Sequence, residues 1–277
     1  MPVHTPTAVR ALLTEHELRP RRALGQHFLN DPNTARRIAR LADLEPGARV
    51  LEIGPGLGAL TLALADAGAR VVALELDERL VAVLNETVVG HGDVTVRAGD
   101  AATVDLGFLD PGPWACVSNL PYNVATPVVL RLLEEAPAVT RLLVMTQREV
   151  GERLAAPPGT RAYGAVSVKV AYFADAKVVG LVPPTVFVPR PKVESALVRL
   201  DRRAEPPVAV PSADDLFALV RTGFAQRRKM LRRSLVPMLG DRTPAVLAAS
   251  GIEPTARPEA LGLEQWAALA RSAAEAA

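Results

Sequence analysis

The chain has 277 residues, of which 49% are hydrophobic and 22% charged, with 32 basic residues against 30 acidic and a single cysteine, Cys116. That length supports a sizeable buried core and excludes disorder as the main state. No apolar run approaches the roughly 18 residues of a membrane helix, the first 30 residues hold no apolar signal region, and one cysteine builds neither a disulfide framework nor a Cys-based zinc site.

The expectation is a soluble, cytoplasmic protein, monomeric, without membrane contact and without a metal, since His4, His16 and His91 are scattered along the chain. The net charge of +2 hides an uneven distribution. Residues 45–115 hold eleven acids against four bases, a net of −7, so the rest of the chain carries +9. Arginine supplies 28 of the 32 bases. Its planar fork suits phosphate, but GC-rich coding raises arginine too, so the argument rests on where the arginines cluster.

Residues 1–45 read as an N-terminal arm with helices, and residues 10–40 contain seven arginines, Arg21 and Arg22 among them, against three acids. From Arg49 short β-rich runs alternate with helical periods. Strands are predicted over 50–53, 71–76, 94–98, 115–119, 141–146, 177–181 and 193–200, and helices over 59–67, 79–89, 127–135 and 148–154. The alternation means βαβ units on a parallel sheet. The last two strands lack a long helix between them, which predicts an antiparallel hairpin at the sheet edge. Three prolines between Arg203 and Pro211 then make a linker. Only helical patterns follow, over 214–224, 227–239, 244–250 and 263–274. The predicted organisation is a Rossmann-like α/β domain over 1–203 and a small all-α domain over 204–277.

The first strand runs into Glu52-Ile53-Gly54-Pro55-Gly56-Leu57-Gly58, and the second ends in Glu75-Leu76-Asp77. Glycines between a strand and a helix let the backbone approach a nucleotide, and an acid at the end of the next strand can bind ribose hydroxyls. A dinucleotide or S-adenosylmethionine satisfies that pattern. Glu52 favours the methyl donor, because an acid beside the turn repels a pyrophosphate and attracts an ammonium or sulfonium. Gly99-Asp100-Ala101 after the third strand adds a carboxylate able to accept from an adenine amino group. Each acid alone also reads as a loop residue or helix cap; three at successive strand ends read as a ligand site.

The fourth strand ends in Ser118-Asn119-Leu120-Pro121-Tyr122. An exocyclic aromatic amine is a poor nucleophile because its lone pair is delocalised into the ring. The Asn119 side-chain oxygen and the Leu120 carbonyl can each accept one N–H and favour a tetrahedral amine. Pro121 removes a competing donor, and Tyr122 offers a ring on which an extruded base stacks. Phe187, in Phe187-Val188-Pro189-Arg190-Pro191-Lys192-Val193, is a second candidate aromatic for the base, or a core phenylalanine on a stiff loop. Arg221, Arg227, Arg228, Lys229, Arg232 and Arg233 form a basic run without an acid, on a helical pattern, which reads as a phosphate-binding surface or as solvated charge.

With these motifs the chain resembles the ribosomal RNA adenine N6-dimethyltransferase family, and within it the bacterial small-subunit branch. The resemblance covers most of the chain and rests on Gly25-Gln26-His27-Phe28-Leu29, Glu52 to Gly58, Glu75 to Asp77, Gly99 to Ala101, Asn119 to Tyr122, Phe187 to Ser195 and Phe224 to Lys229. It implies dimethylation of two adjacent adenosines near the 3′ end of 16S rRNA in the immature small ribosomal subunit. It also implies contacts to S-adenosylmethionine from the positions of His27, Leu29, Gly54, Glu75, Asp100 and Asn119, with Glu52, Gly56 and Ala101 in the same donor site. The family commonly carries asparagine where His27 stands. Three other readings stay open at this level: a large-subunit (23S) rRNA methyltransferase conferring antibiotic resistance, a nicotinamide-dependent dehydrogenase, which leaves Asn119 to Tyr122 unexplained, and a non-catalytic ribosome-assembly factor.

Overall fold

The computed structural model describes residues 4–276, with Arg22 described for its backbone alone. Nine strands form: β1 (Phe28–Leu29), β2 (Arg49–Ile53), β3 (Arg70–Glu75), β4 (Asp93–Ala98), β5 (Trp114–Asn119), β6 (Val139–Gln147), β7 (Ala174–Val182), β8 (Phe187–Val188) and β9 (Ser195–Arg202). Seven of them make one sheet in the order β4-β3-β2-β5-β6-β9-β7, while β1 and β8 pair separately and antiparallel. From β4 to β6 every neighbour is parallel, and β9 runs antiparallel to β6. The last two strands, expected as an antiparallel hairpin at the sheet edge, are β7 and β9, which lie side by side at this edge.

The central parallel strands β2, β5 and β6 read as nearly continuous apolar runs because they are buried on both faces, whereas the edge strand β4 is largely exposed. Leu51, Cys116, Leu142 and Val144 have no exposed surface. Helix α1 (Pro6–Glu15) opens the described chain and α2 (Pro32–Leu41) follows β1. α3 (Ala59–Asp66) has seven of its eight residues buried, which its Ala-Leu-Thr-Leu-Ala-Leu-Ala sequence tolerates on every side. α4 (Glu78–Thr87) instead buries one stripe, Leu80, Val83 and Leu84, and Asp77 caps its first turn. α5 (Ala125–Glu135) and α6 (Arg148–Leu154) complete this part.

The connections place the site. The chain leaves β2 outward through β3 and β4, then returns to β5 on the other side of β2 and continues outward to β6. The strand order therefore reverses between β2 and β5, and in such sheets a crevice opens there at the carboxyl ends of the strands. Glu52 and Ile53 end β2, and Asn119 ends β5.

The chain divides into two compact units, residues 1–151 with 176–202, and residues 152–175 with 203–277. The single cut expected at 203/204 therefore becomes three crossings, at 151/152, 175/176 and 202/203, because 152–175 belongs to the helical unit. That segment holds α7 (Ala165–Phe173), which the sequence analysis does not predict. Val168, Val170 and Tyr172 are buried at alternate positions, a strand-like pattern, yet the Ser167 hydroxyl accepts from the Gly164 N–H at 3.1 Å and closes the first helical turn.

The rest of the helical unit is α8 (Ala213–Ala225), α9 (Leu231–Ser234), α10 (Val236–Leu239), α11 (Thr243–Ala249) and α12 (Leu263–Glu275). Its core centres on Trp266, fully buried with Leu216, Leu219, Leu231 and Leu247. The single helix expected over 227–239 is broken instead. α8 stops at Ala225, residues 226–230 turn, and the Leu231 N–H bonds the Ala256 carbonyl at 2.8 Å rather than a preceding turn. Leu235 separates the two short helices that follow, and Pro237, in the first turn of α10, has no N–H with which to continue the ladder of α9.

Candidate active site

At the β2/β5 switch a pocket is lined by residues from five of the motifs that the sequence singled out. His27 and Leu29 enter from the segment around β1, Glu52 from the end of β2, Gly54 and Gly56 from the turn after it, Glu75 and Leu76 from the end of β3, Asp100 and Ala101 from the loop after β4, and Asn119 to Tyr122 from the end of β5. Gly54 and Gly56 have φ of +68° and +60°, conformations that glycine adopts without strain. The turn is also close-packed, since a Cβ on Gly56 would stand 2.9 Å from the Phe28 ring.

Two carboxylates face this turn in different states. Glu75 is buried, and its two oxygens accept the Gly56 N–H at 3.1 Å and the Asp77 N–H at 2.9 Å. Burial raises its pKa, and those N–H groups, with that of Leu76, work against the rise. Each of its oxygens keeps a second acceptor site. Glu52 is 1% exposed, and its Oε2 has no hydrogen-bond partner. Burial lifts its pKa to about 8, with the Thr61 hydroxyl lowering it and the charge of Glu75 adding to the rise. A buried carboxylate oxygen without a partner calls for a cation. Next to them Asp77 is held down to about 2, chiefly by the Arg79 guanidinium, and the Gln26 amide donates to it at 3.2 Å.

Asn119 is oriented by what its amide nitrogen meets. Nδ2 donates to the His27 carbonyl at 3.2 Å, and because a carbonyl only accepts, Oδ1 is the atom left on the other side of the amide. The Leu120 N–H donates to the Met145 carbonyl at 3.0 Å, tying the motif to β6. Tyr122 is half-buried, and its hydroxyl lies 2.7 Å from the Ser195 hydroxyl. Its ring centroid stands 5.1 Å from that of His27, the planes tilted by 33°. The His27 Nδ1–H donates to the Pro189 carbonyl at 2.6 Å, which leaves Nε2 on the far side of the ring.

Asp100 accepts the Ala102 N–H at 2.8 Å, and its loop is held from beneath by Arg131 of α5, which donates to the Ala101 and Val104 carbonyls at 2.7 Å each. The sequence reading missed Arg131 because a lone arginine on a helix carries no pattern. It also missed Leu76, 51% exposed and lining the pocket, which follows the apolar run of β3 and reads as an ordinary strand end.

One expectation needs correction. Phe187 does not reach the pocket: its ring is 2% exposed and belongs to the core, opposite Leu29 in the β1–β8 ladder. Arg227 is engaged as a brace of the helical unit, donating to Glu259 at 2.7 Å and to the Arg161 carbonyl at 2.8 Å. Arg21, Arg221, Arg228, Lys229, Arg232 and Arg233 are exposed, and the side chain of Arg22 lies outside the described residues. Among the described residues no group of three or more His, Cys, Asp or Glu side chains is arranged to hold a metal ion.

A mostly parallel seven-stranded sheet with a glycine turn at its switch point and acids at successive strand ends defines a Rossmann-like methyltransferase. The family described as ribosomal RNA adenine dimethylase matches residues 17–275. The ribosomal RNA small subunit methyltransferase A of Thermobifida fusca is 46% identical, over 96% of this chain and 94% of its own. The protein so named in Kineococcus radiotolerans is 48% identical, over 95% and 89%. Among solved structures, the 23S rRNA methyltransferase ErmE is 33% identical with a TM-score of 0.69, over 88% of this chain and 98% of that one. A dimethyladenosine transferase from Plasmodium falciparum shares the fold, with a TM-score of 0.73 at 24% identity. The chain belongs to the ribosomal RNA adenine dimethylase family.

Proposed function

We propose that this enzyme transfers methyl groups from S-adenosylmethionine to the N6 amines of two adjacent adenosines near the 3′ end of small-subunit (16S) rRNA, during assembly of the small subunit. The observation that carries the reading is the meeting, in one pocket, of the partnerless Glu52 carboxylate with an Asn119 amide whose oxygen is left to accept. The names of the relatives from Thermobifida fusca and Kineococcus radiotolerans support the small subunit as target.

Bound S-adenosylmethionine supplies an electrophilic methyl group on a sulfonium. Glu52 faces the cationic end of the donor, the Gly54–Gly56 turn lets the backbone approach, Glu75 accepts from the ribose hydroxyls and Asp100 from the adenine amino group. His27, Leu29 and Ala101 complete the walls. On the acceptor side, Asn119 Oδ1 and the Leu120 carbonyl each take one N–H of the target amine. That pulls nitrogen toward a tetrahedral geometry and aims its lone pair at the methyl group. No base is needed before attack, because the amine loses its proton readily once alkylated. Tyr122 holds the face of the extruded base. The exposed bases Arg21, Arg221, Arg228, Lys229, Arg232 and Arg233 neutralise phosphates, and Arg227 keeps its fold-bracing role.

The test is transfer of labelled methyl from S-adenosylmethionine to unmethylated small ribosomal subunits and, separately, to large subunits, with nucleoside analysis of the product. Dimethyladenosine in small-subunit RNA alone is the expected result. Label in large-subunit RNA makes this a 23S enzyme, and no label in either leaves an assembly factor that binds the donor without using it.

A further inference from the structure

The segment from Phe187 to Ser195 lies outside the pocket lining, yet it touches the pocket at two points. The Ser195 hydroxyl, completely buried, bonds the phenolic oxygen of Tyr122 at 2.7 Å. The Pro189 carbonyl accepts from His27, whose ring stands beside that of Tyr122 and whose own carbonyl holds the Asn119 amide. We propose that this segment is a brace and that Ser195 is a positioning residue, which holds the Tyr122 ring in place against the target base. The inference rests on the proposed role of Tyr122 as the platform for an extruded adenine.

The brace is anchored independently of any ligand. At one end Phe187 is sunk in the core and β8 pairs with β1, while the Asn30 N–H reaches the Val186 carbonyl at 2.9 Å. At the other end Ser195 stands opposite Gln147, in register on β6, and the Arg148 N–H bonds the Glu194 carbonyl at 3.0 Å. The phenolic oxygen of a tyrosine lies on the Cβ–Cγ axis and is the atom farthest from the Cα–Cβ bond, so a hydrogen bond there restrains the swing of the whole ring about Cα–Cβ more than one nearer the backbone would. Stacking depends on where the ring stands, so a ring free to swing must be ordered again each time a base arrives. The position of Phe187 follows from the same architecture: its ring serves as the footing of the brace.

The experiment is a double-mutant cycle of Ser195→Ala and Tyr122→Phe, which remove the same hydrogen bond from opposite ends, read as turnover on unmethylated small subunits at saturating donor. Donor dissociation constants are measured alongside, and Tyr122→Ala is the control. Each single variant is expected to lose roughly tenfold in turnover, the weight of one hydrogen bond. Donor binding should hold within twofold, and the double variant should be no slower than either single one. A merely structural serine would instead disturb donor binding and add to the loss from Tyr122→Phe. Losses that multiply, or a Ser195→Ala turnover within twofold of the native enzyme while Tyr122→Ala is impaired, overturn the brace and leave the platform standing. Unchanged turnover in Tyr122→Ala overturns the platform and the brace together.

Discussion

Replacing Glu52 by Gln should make the donor-free protein more stable and a poorer binder of S-adenosylmethionine. The carboxyl of Glu52 titrates at about 8 in the fold against its ordinary 4.5. A folded pKa above the unfolded one means that the fold favours the neutral acid. The penalty is absent below about pH 4.5, grows as pH rises, and is complete above about pH 8. At 1.36 kcal/mol per pH unit it amounts to about 3 kcal/mol at pH 7 and about 5 kcal/mol above pH 8. Glutamine carries no charge to bury, so the midpoint of urea unfolding of Glu52→Gln should exceed that of the native protein, by a margin that widens from pH 6 to pH 9. Donor binding should move the other way. Only about one Glu52 in ten is ionised at pH 7, and the cationic end of the donor selects that form. Affinity should then rise about tenfold between pH 6 and pH 7 and flatten near pH 8, where the donor's own amino group begins to lose its proton. In Glu52→Gln the acidic limb should vanish. Calorimetric titration of both proteins across this range is the assay. The same acidic limb in Glu52→Gln, or no gain in its donor-free stability at pH 8, refutes the reasoning.

Asn119→Ala should keep donor affinity within a fewfold and lose at least about a hundredfold in methyl transfer, measured at saturating donor, since it removes one of two groups that orient the amine. Gly56→Ala should cost about 1–3 kcal/mol of unfolding free energy and weaken the donor, because its φ is +60° and its Cβ would meet Phe28 at 2.9 Å. Arg131→Gln should raise the donor dissociation constant several-fold and leave turnover at saturating donor nearly unchanged, because the Asp100 loop loses two carbonyl bonds at 2.7 Å while Asn119 is untouched. Combined Arg228→Ala and Lys229→Ala should flatten the salt dependence of RNA binding by somewhat under one unit of slope per lost phosphate contact. Arg227→Ala should lower thermal stability instead, since its partners are Glu259 and the Arg161 carbonyl.

The parts of this fold that the sequence made legible are those in which one local rule dominates. The strands from β2 to β6 stand out because apolar β-branched runs alternate with helical stripes, and the glycine turn stands out because positive φ at Gly54 and Gly56 requires glycine. Where two rules compete, tertiary contacts decide. The 165–173 stretch alternates like a strand yet folds as a helix under the Ser167 cap, and the basic run after α8 gives up its helical period because the Leu231 N–H finds a carbonyl far along the chain.

The same limit separates the two aromatics assigned to the target base. Tyr122 is tied by its neighbours in sequence to Asn119 at the end of β5, so its place in the pocket follows from the strand order. Phe187 sits on a loop whose direction is set by pairing with Leu29, some 160 residues earlier, and by the footing of Ser195 on β6. No local pattern reports such a register. The proline-stiffened motif therefore announces a rigid element without saying what it makes rigid, and the contacts of Pro189 and Ser195 direct that rigidity to His27 and Tyr122.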